Sequence, residues 1–183
     1  MTTAIVIGDG PAGLSAALFL AKNGVETTVY GKDNTAMHYA ELHNYLGLPV
    51  IGGTEFQQIA RGQITAAGAS LLDAEVAEIQ PGSAGFRVSL TDGSVGEADF
   101  VVIAEGKSGR LAGAIGLAMN DDGVAVDRYF RTGVDGLYVV GRATHTGRSQ
   151  AIISAGQGAT AAIDILSRLK GADFRDFDEP AKE

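Results

Sequence analysis

Gly8, Gly10 and Gly13 stand at the spacing Gly-x-Gly-x-x-Gly within TAIVIGDGPAGLSAALFLAKNG. That spacing suits the binding of a dinucleotide pyrophosphate by the main chain. The first glycine permits a tight turn, the second lets the backbone approach the phosphates, and the third lets helix and strand pack closely. Pro11 and Ala12 would then open a helix whose unpaired N–H groups and partial positive charge face the anion. Gly8, Gly10, Pro11, Ala12 and Gly13 are therefore candidate cofactor-binding residues. The turn also carries an acid, Asp9. It is expected to turn outward, where solvent screens its repulsion of a phosphate.

Such a turn works only between a strand and a helix. Ala4 to Ile7 reads as a buried strand, and Leu14, Ala17, Leu18 and Ala21 recur at helical spacing behind Pro11. Asn23-Gly24 supplies the stop, and VETTVY over residues 25–30 is a second strand, completing a βαβ unit. Thr54 and Gln57 form a capping-box signature for the next helix, with Phe56, Ile59, Ile64 and Ala67 on its apolar face. From Ala74 to Gly106, short strands and the turn signals PGSAG and TDG predict an antiparallel meander whose last strand is FVVIA. Further strands are expected at Val124–Val126 and Leu137–Val140, and a final amphipathic helix from Ile152 to Leu169. The acidic tail over residues 171–183 is expected to fray.

The fingerprint alone leaves the nucleotide open. An acid for the ribose hydroxyls belongs near the end of the second strand, where this chain has YGKD. Either Asp33 reaches back to the ribose, or Lys32 meets a 2′-phosphate. His38, His43 and His145 are candidate proton donors, with His145 the catalytic candidate, weighed against ordinary solvated or structural roles. Their spacing suggests no metal site. The absence of cysteine excludes disulfides, thiolate metal sites and any dithiol relay within the chain.

The 183 residues are 45% hydrophobic and 20% charged, a soluble globular composition with enough chain for one sizeable core. A net charge of −8 without a basic run argues against nucleic acid or an anionic membrane as partner. No apolar run approaches bilayer length, and no basic region precedes the first strand. No signal peptide is expected, and the expected location is the cytoplasm.

The segment RTGVDGLYVVGRATHTGRSQAIISAGQGATAA resembles the closing segment of the FAD domain of thioredoxin reductases. The matching features are Thr132, Gly136, the strand to Gly141, and Gln150-Ala151 at a helix start. HNYLGLP is similar to that family's loop beside the flavin, and FVVIAEG to its Ala-Thr-Gly strand end. The resemblance covers residues 3–170. It implies an α/β, three-layer FAD/NAD(P)-binding (Rossmann-like) domain: a parallel sheet with helices on one face and the antiparallel β-meander on the other.

The same resemblance implies FAD as cofactor, with Asn44, Tyr45, Gly141, Arg142, Gln150 and Ala151 beside it and the last two at the pyrimidine edge of the ring. It also implies a homodimer. The interrupting NADPH domain and redox Cys-x-x-Cys of the family have no counterpart here, so residues 1–170 are expected to form a single FAD-binding domain. Four residues depart from the family pattern: Asp9, Gly31 for the ribose acid, Glu105 for threonine, and Arg142 for the flavin-contacting aspartate. The expected function is a flavin oxidoreductase served by an external electron donor or a partner protein, without thioredoxin reductase activity alone. The rivals are an FAD-binding sensor without turnover and an NADP-dependent enzyme.

Overall fold

The computed structural model describes residues 1–178. Its elements are β1 (Thr3–Ile7), α1 (Pro11–Lys22), β2 (Glu26–Gly31), β3 (Glu41–Leu42), β4 (Ile51–Gly52), α2 (Gly53–Ala66), β5 (Ser70–Asp73) and β6 (Val76–Gly82). There follow β7 (Gly85–Leu90), β8 (Val95–Ala98), β9 (Phe100–Ile103), α3 (Arg110–Ala114), β10 (Met119–Asn120), β11 (Gly123–Val124), β12 (Leu137–Val139) and α4 (Ala151–Lys170). The main sheet is parallel in the order β12-β9-β1-β2-β5, and β6-β7-β8 form the antiparallel meander.

Alternation along the strands sorts their side chains into two cores. Ala4, Val6, Val29, Phe100, Val102 and Tyr138 face α1 and α4, meeting Leu20, Ala161 and Ile165. Ile5, Ile7, Val101, Ile103, Leu137 and Val139 face the meander, meeting Ile79, Phe86 and Val88. Each fully buried valine or isoleucine contributes about 1.5–3 kcal/mol relative to exposure. The result is the expected three layers: helices, parallel sheet, meander.

FVVI is not the last strand of the meander. It enters the parallel sheet as β9, between β1 and β12. All four of its residues are buried, so both of its faces are covered, and a continuous apolar run of that kind belongs in a parallel sheet. The edge strand β5 gave no sequence signal, because it is four residues long and only Leu71 and Leu72 are apolar. The beginning of the expected frayed tail is instead docked. Phe174 packs on the helix-side core, its N–H donates to Ser167 Oγ at 2.9 Å, and Lys22 Nζ donates to Asp178 at 2.7 Å. Residues 179–183 of that tail lie outside the described residues.

α4 is tied down along its length. Gly158 lies so close to α1 that a Cβ there would overlap the Ala12 carbonyl. Farther along, the buried Asp164 accepts from Arg131 Nε at 2.6 Å and from Tyr138 Oη at 2.7 Å. Burial, and to a lesser degree this acid, push the Tyr138 phenol up to about 12, so it stays a donor at neutral pH.

The two mid-helix glycines of α4 should therefore respond oppositely to alanine. Gly156 has nothing within 4 Å of a built Cβ. Gly156→Ala should stabilise by up to about 1 kcal/mol through helix propensity, whereas Gly158→Ala should destabilise by roughly 1–3 kcal/mol through overpacking. Urea unfolding of the two variants checks this, and equal effects would mean that α1 and α4 do not depend on the close approach.

Candidate functional site

A cleft of about 700 Å³ opens at the carboxyl ends of β1, β2 and β9, where Ile7-Gly8, Tyr30-Gly31 and Ala104-Glu105 form part of its wall. Ligands of open α/β sheets bind in this crevice, outside the strand ends. Gly8 sits there at φ +101°, its N–H donating to the Tyr30 carbonyl at 2.8 Å, and a Cβ on it would overlap the Ala104 carbonyl. Gly10, the residue before α1, has a different reason to be glycine. A Cβ there meets nothing nearer than Thr35 Oγ1 at 3.5 Å, so the room it leaves belongs to the cleft. Pro11 and Ala12 line that space, while Gly13 packs behind the turn against the Gly8 carbonyl.

The opposite wall is the start of α4. Gln150 and Ala151 line it, and no side chain caps the helix, so its first N–H groups stay available. Asn44 Nδ2 donates to Gln150 Oε1 at 3.0 Å, joining two expected site residues. Gly141 and Arg142 also line the cleft, and Gln157 holds them by accepting the Gly141 N–H at 2.6 Å. Arg142 Nε is buried without a hydrogen-bond partner among the described residues. A guanidinium left this way is a ready donor to a ligand oxygen. Glu105 lines the cleft as well, but its carboxylate accepts from the Leu111 and Ala112 N–H groups and closes the loop into α3.

Asp9 does not turn outward. It is only 4% exposed, and its carboxylate pairs with Arg61 and accepts the Asp33 N–H at 3.0 Å. A buried carboxylate needs such partners, because burial in place of hydration is otherwise costly. Asp33 therefore does not reach back into the cleft. Its carboxylate faces His38 Nε2 at 3.1 Å, while Lys32 stands exposed on the rim. Tyr45 packs against Phe56 with the rings tilted and their centres 5.3 Å apart, and it does not line the cleft. His145 also lies outside it, 3.9 Å from Asp122. His38 spans Thr54 and the Asp33 carbonyl, and His43 pairs with Glu41 on the surface.

The capping box is not formed either. α2 begins at Gly53, and Gln57 is fully buried with its amide donating to the Asp9 carbonyl. Gln57 and Arg61 thus both hold the fingerprint turn, a role the sequence reading missed. Their i, i+4 spacing on one helix face was the available signal.

The sequence profile of the pyridine nucleotide-disulphide oxidoreductases matches residues 48–159. The chain belongs to this family. An FAD-binding-domain profile matches residues 1–41, and the cofactor indicated is FAD. Among curated members, the chain is 31% identical over 139 residues to the nitric oxide reductase FlRd-NAD(+) reductase of Aeromonas salmonicida, covering 75% of this chain and 33% of that one. It is 31% identical over 123 residues to the thioredoxin reductase of Helicobacter pylori, covering 63% of this chain and 39% of that one. The chain thus spans roughly a third of the length of these family members.

The fold is shared with solved structures. A thioredoxin reductase from Gloeobacter violaceus superposes with a TM-score of 0.88 at 17% identity, covering 98% of this chain and 100% of that one. An atypical thioredoxin reductase from Desulfovibrio vulgaris does so at 0.83 and 19%, covering 93% and 99%. Among the described residues, no helix of this family member is long and apolar enough to cross a membrane.

The roles of the two α2 residues are separable. Gln57→Leu leaves the buried Asp9 carbonyl without its donor and should cost roughly 1–3 kcal/mol. Thr54→Ala removes only a contact to His38 and should stay within about 0.5 kcal/mol. Thermal melts of both would reverse this order if Thr54 were the helix cap.

Proposed function

We propose that this chain is a single-domain FAD oxidoreductase that receives its electrons from an external donor or a partner protein. Bound FAD supplies electron transfer, and the protein supplies orientation and electrostatics. The observation that carries the reading is the convergence of two helix N-termini, those of α1 and α4, on one cleft at the strand ends. In this reading the turn Gly8–Gly13 holds the pyrophosphate by main-chain N–H groups. Arg142 and the start of α4 hold the other end, with Asn44 fixing Gln150. Glu105, committed to the backbone N–H groups of Leu111 and Ala112, orients the loop into α3.

The chain connects β9 to β10 through residues 104–118, whose only helix is α3, and it contains no cysteine. That connection has no room for the nicotinamide domain of the larger thioredoxin reductases, and no dithiol is present to pass electrons to a disulfide. Alone with NADPH, the chain should not reduce thioredoxin. The resemblance to thioredoxin reductases further implies a homodimer.

Purified protein should carry FAD or take it up, and Gly10→Val should lower FAD affinity at least tenfold while keeping the fold, because the new side chain enters the cleft rather than protein. Fluorescence titration with circular dichroism checks both halves, and unchanged affinity would mean the turn is not the phosphate site. Anaerobic addition of NADH, NADPH or a reduced carrier protein then identifies the donor by bleaching of the flavin band. A flavin that none of them reduces would favour a sensor over an enzyme.

The α4 terminus has an electrostatic role in this reading. Negative charge develops at the pyrimidine edge of the flavin on reduction, and a helix N-terminus stabilises nearby negative charge by about 0.3–2 kcal/mol. Ala151 is the first helical residue, a position where proline fits but removes an N–H. Ala151→Pro should therefore retain FAD and make its potential more negative by up to tens of millivolts, about 30 mV corresponding to 1.4 kcal/mol. An unchanged potential in a folded, loaded variant would leave α4 a packing role only.

A further inference from the structure

Gly31 ends β2, the place where dinucleotide sites of this layout carry an acid for the adenosine ribose. A Cβ built on Gly31 would overlap the Asp9 side chain and lie 2.7 Å from Asp9 Oδ1. The space of a residue-31 side chain is thus already filled, and it is filled by a carboxylate. That carboxylate reaches the corner from the fingerprint turn instead of from the strand. Asp9 and Gly31 both belong to the cleft wall. Of the two carboxylate oxygens, Oδ2 takes the hydrogen bonds from Arg61 and from the Asp33 N–H, and Oδ1 takes none from the described residues.

We propose that Asp9 is the ribose-recognising acid of this chain. Oδ2 is anchored by Arg61 and the Asp33 amide, and Oδ1 accepts a hydrogen bond from an adenosine ribose hydroxyl. Gly31 is glycine because Asp9 occupies its space. The assignment rests on the reading that the glycine turn holds a dinucleotide, and it adds the residue that selects among dinucleotides. Arg61 is not free for a 2′-phosphate, since it pairs with Asp9 and has Asp33 Oδ1 at 3.8 Å. Exposed Lys32 is a further cation on the cleft rim, but the Asp9 carboxylate in the space of a residue-31 side chain repels a 2′-phosphate. The corner therefore favours an unphosphorylated ribose, as FAD has.

The test pairs deletions on the protein with deletions on the ligand. The full chain, freed of any bound FAD and checked for its fold by circular dichroism, is titrated calorimetrically with ADP, 2′,3′-dideoxy-ADP and ADP carrying a 2′-phosphate. The wild type should bind the dideoxy compound roughly ten- to a hundredfold more weakly than ADP, the range of one hydrogen bond to a charged group. It should also bind the 2′-phosphorylated compound more weakly than ADP. Asp9→Ala should bring the ADP and dideoxy affinities together, a ratio taken within one variant and so insensitive to the fraction folded.

Gly31→Glu alone should bind poorly, because the new side chain collides with Asp9. Asp9→Gly with Gly31→Glu should restore the discrimination from the strand side, and this arm serves if Asp9→Ala does not fold. A wild type that does not distinguish ADP from its dideoxy form, or that prefers the 2′-phosphate, overturns the assignment while leaving the dinucleotide reading intact. Asp9→Ala with the wild-type ratio overturns it equally. No binding of ADP at all sinks the dinucleotide reading and the assignment together.

Discussion

The site depends on main chain resting against main chain. Gly8 lies against the Ala104 carbonyl of the neighbouring strand end, Gly13 against the Gly8 carbonyl, and Gly158 of α4 against the Ala12 carbonyl of α1. Each contact excludes even a methyl group, and together they hold the turn between β1, β9, α1 and α4. Close approach of this kind gives the cleft a wall of N–H groups in place of side chains. A phosphate can then be bound by geometry that no rotamer change relaxes.

That constraint explains which parts of the molecule were legible in the sequence. Glycine spacing and apolar periodicity are local, so the first βαβ unit, the meander strands β6 to β8 and α4 could be read directly. The placement of β9 was missed because it follows β8 after a single residue and so reads as the next meander strand, although its unbroken apolar run was the signal of a strand covered on both faces. Of the expected site residues, those proposed to act through their backbone (Gly8, Gly10, Ala12, Gly141, Ala151) line the cleft. Several expected to act through side chains do not. Tyr45 found Phe56, Asp33 found His38, and His145 found the surface near Asp122. Side-chain direction depends on neighbours far along the chain, and spacing carries no record of them.

Asp9 shows the same limit most clearly. Seen locally, an acid in a phosphate turn is repulsive and should face water. Its partner Arg61 lies 52 residues away on α2, and Gln57 of the same helix holds the Asp9 carbonyl. Reading the pair from sequence would have meant treating Gln57 and Arg61 as one helix face aimed at the turn, with the glycine at position 31 as the space they serve. Two of the departures from the family pattern are thus coupled: the acid at 9 fills the space left by the glycine at 31, and Arg61 holds it there.

The anchoring of α4 bears on how costly an electron-transfer event would be at this cleft. Gly158 against Ala12, Gln157 on the Gly141 N–H, and Asp164 between Arg131 and Tyr138 fix the helix at successive points from the cleft outward. A dipole held that firmly cannot swing when charge appears before it. Water in its place would have to reorient at every gain or loss of an electron. The fixed helix end is already oriented, so the reorganisation energy of the proposed redox step would fall.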